Sequence, residues 1–356
     1  MASMNEYFDA MLETGASDMI LAEGSSPKLR VTGRVKPFVE GRLSKGETER
    51  LLNDVCETER WDGFLANGDL DFAYDYGGNA RFRANYFRHT GGIGAVFRLI
   101  PSRILTCDEL GVPAAVRELA RVRSGLVLVT GPTGSGKSTT LAAMIDQING
   151  DERRHILTIE EPVEFVHPVK RSYIVQREVG SDVATFADAL KLSGRMDCDV
   201  VLVGEMRDYE TVSLAIAAAE RGLLVFGTLH TNSAVKTIDR IIDVFPADEQ
   251  EAVRKSLTVV LKGVCSQLLC RKADGSGRLA VHEILIQTPA LSNMIREGAT
   301  QKITSVMQSG RALGMQLMDD AIEERRAKGE ITGNEAYMKS LDKTRFQQYA
   351  QEEPAA

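Results

Sequence analysis

The sequence predicts an α/β protein with two domains, the first on an antiparallel sheet and the second on a largely parallel one. Its 356 residues suit two domains, each with its own hydrophobic core. Short strands dominate before residue 100, whereas strands alternate with helices after residue 114. A content of 43% hydrophobic and 26% charged residues is ordinary for a globular protein.

Residues 1–100 are predicted to form the first domain, and hydrophobic spacing gives its elements. Helices are expected at 5–13, 45–56 and 58–67, and strands at 18–23, 28–32, 35–38, 70–76, 80–87 and 93–99. Residues 101–113 contain two prolines and are predicted to be a linker with a short turn.

Residues 114–356 are predicted to form the second domain, in which a parallel sheet is covered by helices on both faces. Strands are expected at 126–130, 156–160, 200–203, 224–228 and 279–286. Helices are expected at 138–148, 182–193, 209–220 and 247–269, and residues 288–356 are predicted to be helical.

A complete GxxxxGK[ST] motif follows the first strand of the second domain and precedes its first predicted helix. This strand–loop–helix context lets backbone N–H groups and the helix N-terminus face a phosphate, which Lys137 also reaches, while the Ser138 hydroxyl can bind Mg²⁺. The motif therefore predicts binding of a nucleoside triphosphate with Mg²⁺. The predicted binding residues are Gly131, Pro132, Thr133, Gly134, Ser135, Gly136, Lys137, Ser138 and Thr139.

Carboxylates follow two further strands of this domain. Glu205 ends an apolar strand, where it can position water for attack on the γ-phosphate, and we predict that it is the catalytic base. Glu160, Glu161 and Glu164 follow the strand at 156–160 and can tune Mg²⁺ hydration or orient water, although a solvated acidic turn is the alternative. The strand at 156–160 is expected between the phosphate-loop strand and the Glu205 strand, and an extra strand in that place would be typical of a RecA-type core.

A histidine and three arginines complete the predicted catalytic set. His230 follows the strand at 224–228, where it can sense the γ-phosphate. Arg81 and Arg83 alternate onto one strand face, and Arg98 lies on the next strand. These arginines can act as fingers on a nucleotide held by a neighbouring subunit, and a solvated basic strand face is the alternative.

Composition limits the partners and the compartment. The net charge of −7 disfavours a nucleic-acid-binding role or a polybasic membrane anchor. No apolar stretch is long enough to span a bilayer, and the N-terminus lacks the features of a signal peptide. The five cysteines contain no CxxC pair, which favours reduced thiols in the cytoplasm. Cys265 and Cys270 are expected to be buried, and could share a helix face.

Together these segments resemble the type IV pilus retraction ATPases, the PilT/PilU branch of the secretion-type hexameric ATPases. The resemblance covers nearly the whole chain, from Gly15–Asp18 to the C-terminal helix motif at Ala290–Glu297. Its most specific segments are Gly131–Thr139, Thr158–His167, Gln176–Gly180, Val203–Asp208, Phe226–Ser233 and Thr237–Pro246.

The resemblance implies a PAS-like N-terminal domain, a RecA-like ATPase domain and a homohexameric ring with ATP between subunits. It implies that Glu205 is the catalytic base, that the acidic box spans Glu160–Glu164, and that His230 holds the histidine-box position. Arginines from the PAS-like domain would act in trans. The partner would be an inner-membrane pilus platform protein, which would recruit a cytoplasmic motor peripherally to the inner membrane.

The chain departs from the family pattern in three places. Glu161 stands where the family usually has aspartate. The segment Leu192–Asp199 departs from the Leu-Arg-x-Asp-Pro-Asp ending of the family, and Arg221–Leu223 stands where the family often has Thr-Gly-His. Gly194 predicts a helix end close to Arg195 because glycine is a poor residue inside a helix. None of these changes touches Lys137 or Glu205, so hydrolysis is expected to survive.

Four other functions are weighed against retraction. A pilus extension or type II secretion ATPase would carry a four-cysteine zinc insert, whereas Cys270–Arg278 is a short loop without CxxC. An accessory retraction ATPase shares every motif. A nucleic-acid translocase would need a basic groove with stacking aromatic residues. A scaffold that binds nucleotide without hydrolysis would not need Glu205.

Overall fold

The computed structural model describes residues 3–31, 33–78, 80–100 and 103–351. The chain divides into two compact units, and one short segment from within the sequence of the second unit belongs to the first unit. The first unit contains Met1–Arg103 together with Glu161–Val166, and the second contains Ile104–Glu160 together with His167–Ala356. The acidic segment that follows residue 160 therefore packs with the N-terminal residues rather than with the sequence around it.

The first unit is an antiparallel sheet with three helices. Its strands are β1 (Asp18–Ala22), β2 (Lys28–Val31), β3 (Arg34–Pro37), β4 (Asp69–Tyr76), β5 (Ala80–His89) and β6 (Gly92–Ile100). Its helices are α1 (Met4–Glu13), α2 (Lys45–Asn53) and α3 (Thr58–Asn67). The strand order is β3-β2-β1-β6-β5-β4, and every pairing among these strands is antiparallel. The prediction of an antiparallel sheet with helices is confirmed.

One face of this sheet is an aromatic core. Phe82 and Tyr86 of β5 are fully buried, and Phe8 of α1 stacks on Phe82 with 4.3 Å between ring centroids. The Tyr86 hydroxyl donates a hydrogen bond to the Leu52 carbonyl oxygen at 2.8 Å, so this buried polar group is satisfied. Alternation along β5 places the intervening residues, including arginines, on the opposite face.

The second unit is a sheet of seven strands covered by helices. Its strands are β7 (Gly125–Thr130), β8 (His155–Glu160), β9 (Tyr173–Glu178), β10 (Val200–Val203), β11 (Leu224–Leu229), β12 (Leu261–Arg271) and β13 (Arg278–Ile286). The order is β13-β12-β7-β11-β10-β8-β9, and only the β12–β13 pairing is antiparallel. The prediction of a largely parallel sheet is confirmed, and every residue of β7 and β11 is buried because helices cover both faces.

The helices of the second unit begin at residue 114 and continue to the C-terminal region. Their bounds are α4 (Ala114–Leu119), α5 (Lys137–Asp151), α6 (Phe186–Ser193), α7 (Tyr209–Glu220), α8 (Ala234–Asp243), α9 (Gln250–Val260), α10 (Pro289–Arg296), α11 (Ile303–Ser309), α12 (Met318–Ala327), α13 (Gly333–Lys339) and α14 (Lys343–Phe346). Helix α6 ends at Ser193 with Gly194 as its C-cap, as predicted. Within the described residues, no helix has both the length and the apolar character that crossing a membrane requires.

The prediction of a helix over 247–269 is wrong in its second half. Helix α9 ends at Val260, and β12 begins at Leu261 and runs through Cys265 and Cys270. The segment is a nearly continuous run of buried residues, and such a run does not distinguish a buried strand from a helix. The two cysteines are buried as expected, but they lie on a strand rather than on a helix face.

Candidate nucleotide-binding site

Three neighbouring parallel strands bring the predicted catalytic groups of the second unit to one edge of the sheet. The phosphate loop follows β7, His230 follows β11, and Glu205 lies two residues beyond the end of β10. Because β11 lies between β7 and β10, His230 stands between the loop and Glu205. Adjacent strands are about 5 Å apart, so the Glu205 strand is about 10 Å from the loop strand. This edge of an open α/β sheet is where ligands bind.

The strand that separates the loop strand from the Glu205 strand is β11. Sequence order suggested that the strand at 156–160 would take this place. In the sheet, β8 instead pairs with the far side of β10 and with β9, so Glu160 lies three strands from the loop. The position of a parallel strand depends on long-range pairing, which sequence order does not reveal.

The phosphate loop has the backbone conformation that its glycines predict. Gly131, Gly134 and Gly136 have φ angles of +146°, +76° and +86°, and α5 starts at the next residue, Lys137. At Gly131, a Cβ atom would lie 2.3 Å from the backbone oxygen of Gln267, so no larger residue fits there. The Lys137 Nζ donates to the Gly131 oxygen at 2.8 Å, which holds the ammonium group over the loop.

Glu205 and His230 are in contact. The Glu205 Oε1 lies 3.0 Å from the His230 Nε2 and 2.5 Å from the Arg207 Nε. Burial raises the pKa of Glu205, but the hydrogen bond and charge of Arg207, together with His230, bring this pKa below its ordinary value. The carboxylate is therefore held ionised. Arg207 was not predicted as a site residue, although its position two residues after the strand-end glutamate was a signal for it.

The predicted acidic box is divided between the two units. Glu160 ends β8, and its Oε1 accepts hydrogen bonds from the Thr158 hydroxyl at 2.7 Å and from the Gln176 amide at 3.4 Å. Glu161 and Glu164 belong to the first unit, where a Glu164 carboxylate oxygen lies 3.7 Å from the Arg83 guanidinium. Glu160 and Glu164 therefore have different partners, each within its own unit.

The predicted arginines lie on the face of the first sheet opposite its aromatic core. Arg83 of β5 pairs with Asp71 through two nitrogens, at 3.1 and 2.5 Å, and is directly opposite Arg98 of β6. The Arg98 Nε donates to Asp18 at 2.9 Å, and Arg98 is two thirds exposed. Arg81 lies two residues from Arg83 on the same face. The strand alternation predicted for Arg81 and Arg83 is present.

A cavity of about 630 Å³ adjoins the phosphate loop within the second unit. The loop forms one wall through Pro132–Ser135, and the turn between β12 and β13 and helix α13 form the others. Its charged lining residues are Arg271, Lys272, Arg278, Glu335 and Lys339. The net positive lining suits an anionic ligand.

Comparisons with known proteins agree with one another. The family described as type II/IV secretion system protein matches residues 67–351. The type IV pilus retraction ATPase PilT of Pseudomonas aeruginosa is 48% identical over 92% of this chain and 94% of its own length. A twitching motility protein of Neisseria gonorrhoeae is 48% identical over 88% of this chain and 83% of its own.

A solved structure of the pilus retraction motor PilT with bound ADP superposes with a TM-score of 0.89 at 43% identity. The match covers 98% of this chain and all of that one, which confirms the predicted fold class: an N-terminal domain followed by a RecA-like ATPase domain. Family match, full-length identity and fold thus lead to the same result, and the chain belongs to the type IV pilus retraction ATPases of the type II/IV secretion system family.

Proposed function

We propose that this chain is the subunit of a homohexameric motor that hydrolyses ATP to retract type IV pili and so supports twitching motility. The observation that carries the proposal is the edge of the second sheet, where the phosphate loop, His230 and Glu205 follow three adjacent parallel strands. The chain carries this edge in a context that is 48% identical to a pilus retraction ATPase over nearly its whole length.

The loop fits the phosphates of ATP. Its left-handed glycines direct backbone N–H groups toward one anion, and α5 adds the positive end of its dipole. The adjoining cavity has room for the remainder of a nucleotide.

Mg²⁺ would bind beside the loop. The exposed Ser138 hydroxyl is the protein ligand, because Mg²⁺ in such sites uses a loop hydroxyl, phosphate oxygens and several waters. Glu160 lies about 14 Å across the sheet from the loop strand, a separation that suits ordering of water rather than direct ligation. The metal roles of Glu161 and Glu164 remain predictions. When bound, the ion would neutralise charge on the transferred phosphoryl group.

Glu205 would act as the general base of hydrolysis. Its carboxylate is held ionised by Arg207 and His230, and it would accept a proton from the attacking water. His230 shares the same carboxylate oxygen, so a change in contact between His230 and the γ-phosphate would move the base. Through this shared oxygen, the nucleotide state of a subunit would affect the position of Glu205.

Arg81, Arg83 and Arg98 would complete the nucleotide site of a neighbouring subunit. Guanidinium groups stabilise charge on a transferring phosphoryl group, and each nucleotide would thereby join two subunits. Within this chain Arg83 and Arg98 are paired with Asp71 and Asp18, so a trans role requires exchange of these partners. The ring would act on an inner-membrane platform protein and stay on the cytoplasmic side, held there by that partner.

The substitution Glu205→Ala tests the catalytic assignment. Nucleotide binding should remain and turnover should fall by a factor of about 10³ or more, since a positioned base contributes at least a hundredfold and also orders water. Glu210→Ala, on the exposed side of α7, is the matched control and should leave turnover unchanged. Unchanged turnover in Glu205→Ala would remove Glu205 from the mechanism.

Deletion of the gene in its own organism tests the direction of force. Surplus surface pili without twitching would support retraction, whereas cells without pili would indicate an extension motor. Normal pili with reduced motility would assign this chain to an accessory retraction motor. Complementation with the Glu205→Ala variant should fail, because the proposed work requires hydrolysis.

A further inference from the structure

A buried amide lies directly behind the phosphate loop. Gln267 of β12 is 2% exposed, and its side chain makes three hydrogen bonds. The Gln267 Nε2 donates to the Ser135 carbonyl oxygen at 2.7 Å. The Gln267 Oε1 accepts from the Thr140 hydroxyl at 2.8 Å and contacts the His282 Nε2 at 3.1 Å. One side chain thus connects the loop, helix α5 and strand β13.

The orientation of this amide is fixed by its partners. The Ser135 carbonyl oxygen can only accept a hydrogen bond, so the nitrogen of Gln267 must face it. Burial lowers the pKa of His282 to about 4, so the ring is neutral and donates from Nε2 to the Gln267 oxygen. All three contacts are therefore satisfied together in a single arrangement, and a flipped amide would place two oxygens against each other.

The loop backbone also packs closely on Gln267. At Gly136 a Cβ atom would lie 2.9 Å from the Gln267 Nε2, so the glycine at this position leaves space for the amide. Gly136 has positive φ and directly precedes α5, whose N-terminus faces the predicted phosphate site. The amide thus contacts the loop at the point where it becomes a helix.

We propose that Gln267 is a positioning residue that holds the phosphate loop in its anion-binding shape. It acts through the Ser135 carbonyl and through Thr140, and it does not itself touch the nucleotide. This inference rests on the proposed function, since it requires nucleotide to bind at the loop. A loop that binds phosphate through backbone N–H groups depends on their directions, so loosening its support lowers nucleotide affinity.

The key test is Gln267→Met, because methionine has nearly the same length as glutamine but cannot donate a hydrogen bond to the Ser135 carbonyl. We expect fluorescent N-methylanthraniloyl-ADP to bind at least about tenfold more weakly, since a buried hydrogen bond to the loop is lost. Gln287→Leu is the matched control, as Gln287 makes two similar hydrogen bonds, to Thr258 and Ser292, far from the loop. It should leave nucleotide affinity unchanged.

Conservative changes at Thr140 provide a second test should the methionine variant not fold. Thr140→Val removes one hydrogen bond to Gln267 and should weaken ADP binding by about three- to tenfold, whereas Thr140→Ser restores the hydroxyl and should bind normally. For Gln267→Met and Thr140→Val, KM for ATP should rise more than kcat falls. Purely structural damage would lower the melting temperature and the active fraction, with KM unchanged.

The outcomes separate this inference from the proposed function. If the unmodified protein does not bind the labelled ADP, the proposed function fails. If it binds, and folded Gln267→Met or Thr140→Val binds within about twofold of it, the positioning role is wrong. Weaker binding in these variants with normal binding in Thr140→Ser and Gln287→Leu would establish the role.

Discussion

The Nε2 of His230 lies 3.0 Å from the Oε1 of Glu205, which places a titratable ring and the proposed base on one shared oxygen. His230 follows β11 and Glu205 follows β10, and the parallel pairing of these strands brings the two residues together. Arg207, two residues after Glu205 in the chain, contacts the same Glu205 oxygen. The protonation and position of Glu205 therefore depend on both neighbours, and each can be tested separately.

Arg207→Gln should shift the pH dependence of turnover. Burial raises the pKa of Glu205, and Arg207 is the main group that lowers it, so removing the guanidinium lets this pKa rise. The base is active when ionised, hence the acidic limb of kcat/KM against pH should move to higher pH. Steady-state ATPase profiles between pH 5 and 8 measure the shift. Lys236→Gln is a control on exposed surface, and an unmoved limb in Arg207→Gln would contradict the electrostatic role.

Mixing two inactive variants should restore activity if sites are shared between subunits. Arg83→Ala removes the proposed trans group, and Lys137→Ala removes nucleotide binding, so each alone is expected to be inactive. In mixed rings some sites receive an intact loop and an intact arginine, and ATPase activity should reach a maximum at an intermediate ratio. Arg34→Ala, on the exposed strand β3, should be active alone. No activity at any ratio would indicate that Arg83 acts only within its own chain.

The stability of the protein should decrease between pH 6.5 and about 4. Burial lowers the pKa of His167 to about 4, with Asp146 raising and Lys170 lowering it. In this pH range His167 binds a proton in the unfolded chain but not in the folded one. The free energy of unfolding therefore decreases by up to about 3 kcal/mol as the pH falls. His167→Gln should reduce the slope of the urea-unfolding free energy against pH, and the remaining slope is expected from buried His282, whose pKa is also lowered to about 4. His89→Gln, at an exposed position, should leave the slope unchanged, and equal slopes in both variants would contradict the prediction.

Local patterns predicted much of this fold, and long-range pairing accounts for what they missed. The strands before Gly131 and before Glu205 are short and buried, so their ends predicted the sheet edge at which the phosphate loop and Glu205 lie. The helix prediction through Cys265 was wrong because β12 is a nearly continuous run of buried residues, and such a run has no period that separates strand from helix. Gln267 lies in that same run. The hydrogen bond from Gln267 to the loop could therefore not be predicted, because it depends on the pairing of β12 with β7, and no local sequence pattern indicates that pairing.

A buried row of hydroxyls connects the loop strand with the His230 segment. The Thr237 Oγ1 of α8 lies 2.6 Å from the Thr231 Oγ1 and 3.3 Å from the Thr130 Oγ1. Thr130 is the last residue before the phosphate loop, and Thr231 follows His230. Thr130 in turn contacts the Ser266 hydroxyl at 2.8 Å. A displacement of the loop strand end can thus reach the His230 segment through hydrogen bonds alone.

Thr237→Val should uncouple nucleotide binding from hydrolysis. Valine fills the same volume but removes the hydroxyl that contacts Thr130 and Thr231 and donates to the Ser233 carbonyl oxygen. The loss of these contacts should lower kcat by about five- to tenfold, which corresponds to about 1 kcal/mol. Affinity for ADP should be unchanged, because the loop keeps its contacts with Gln267. Thr237→Ser restores the hydroxyl and should recover turnover. Equal loss of turnover in the serine and valine variants would mean that the methyl packing of Thr237 matters, and that the hydroxyls do not carry the coupling.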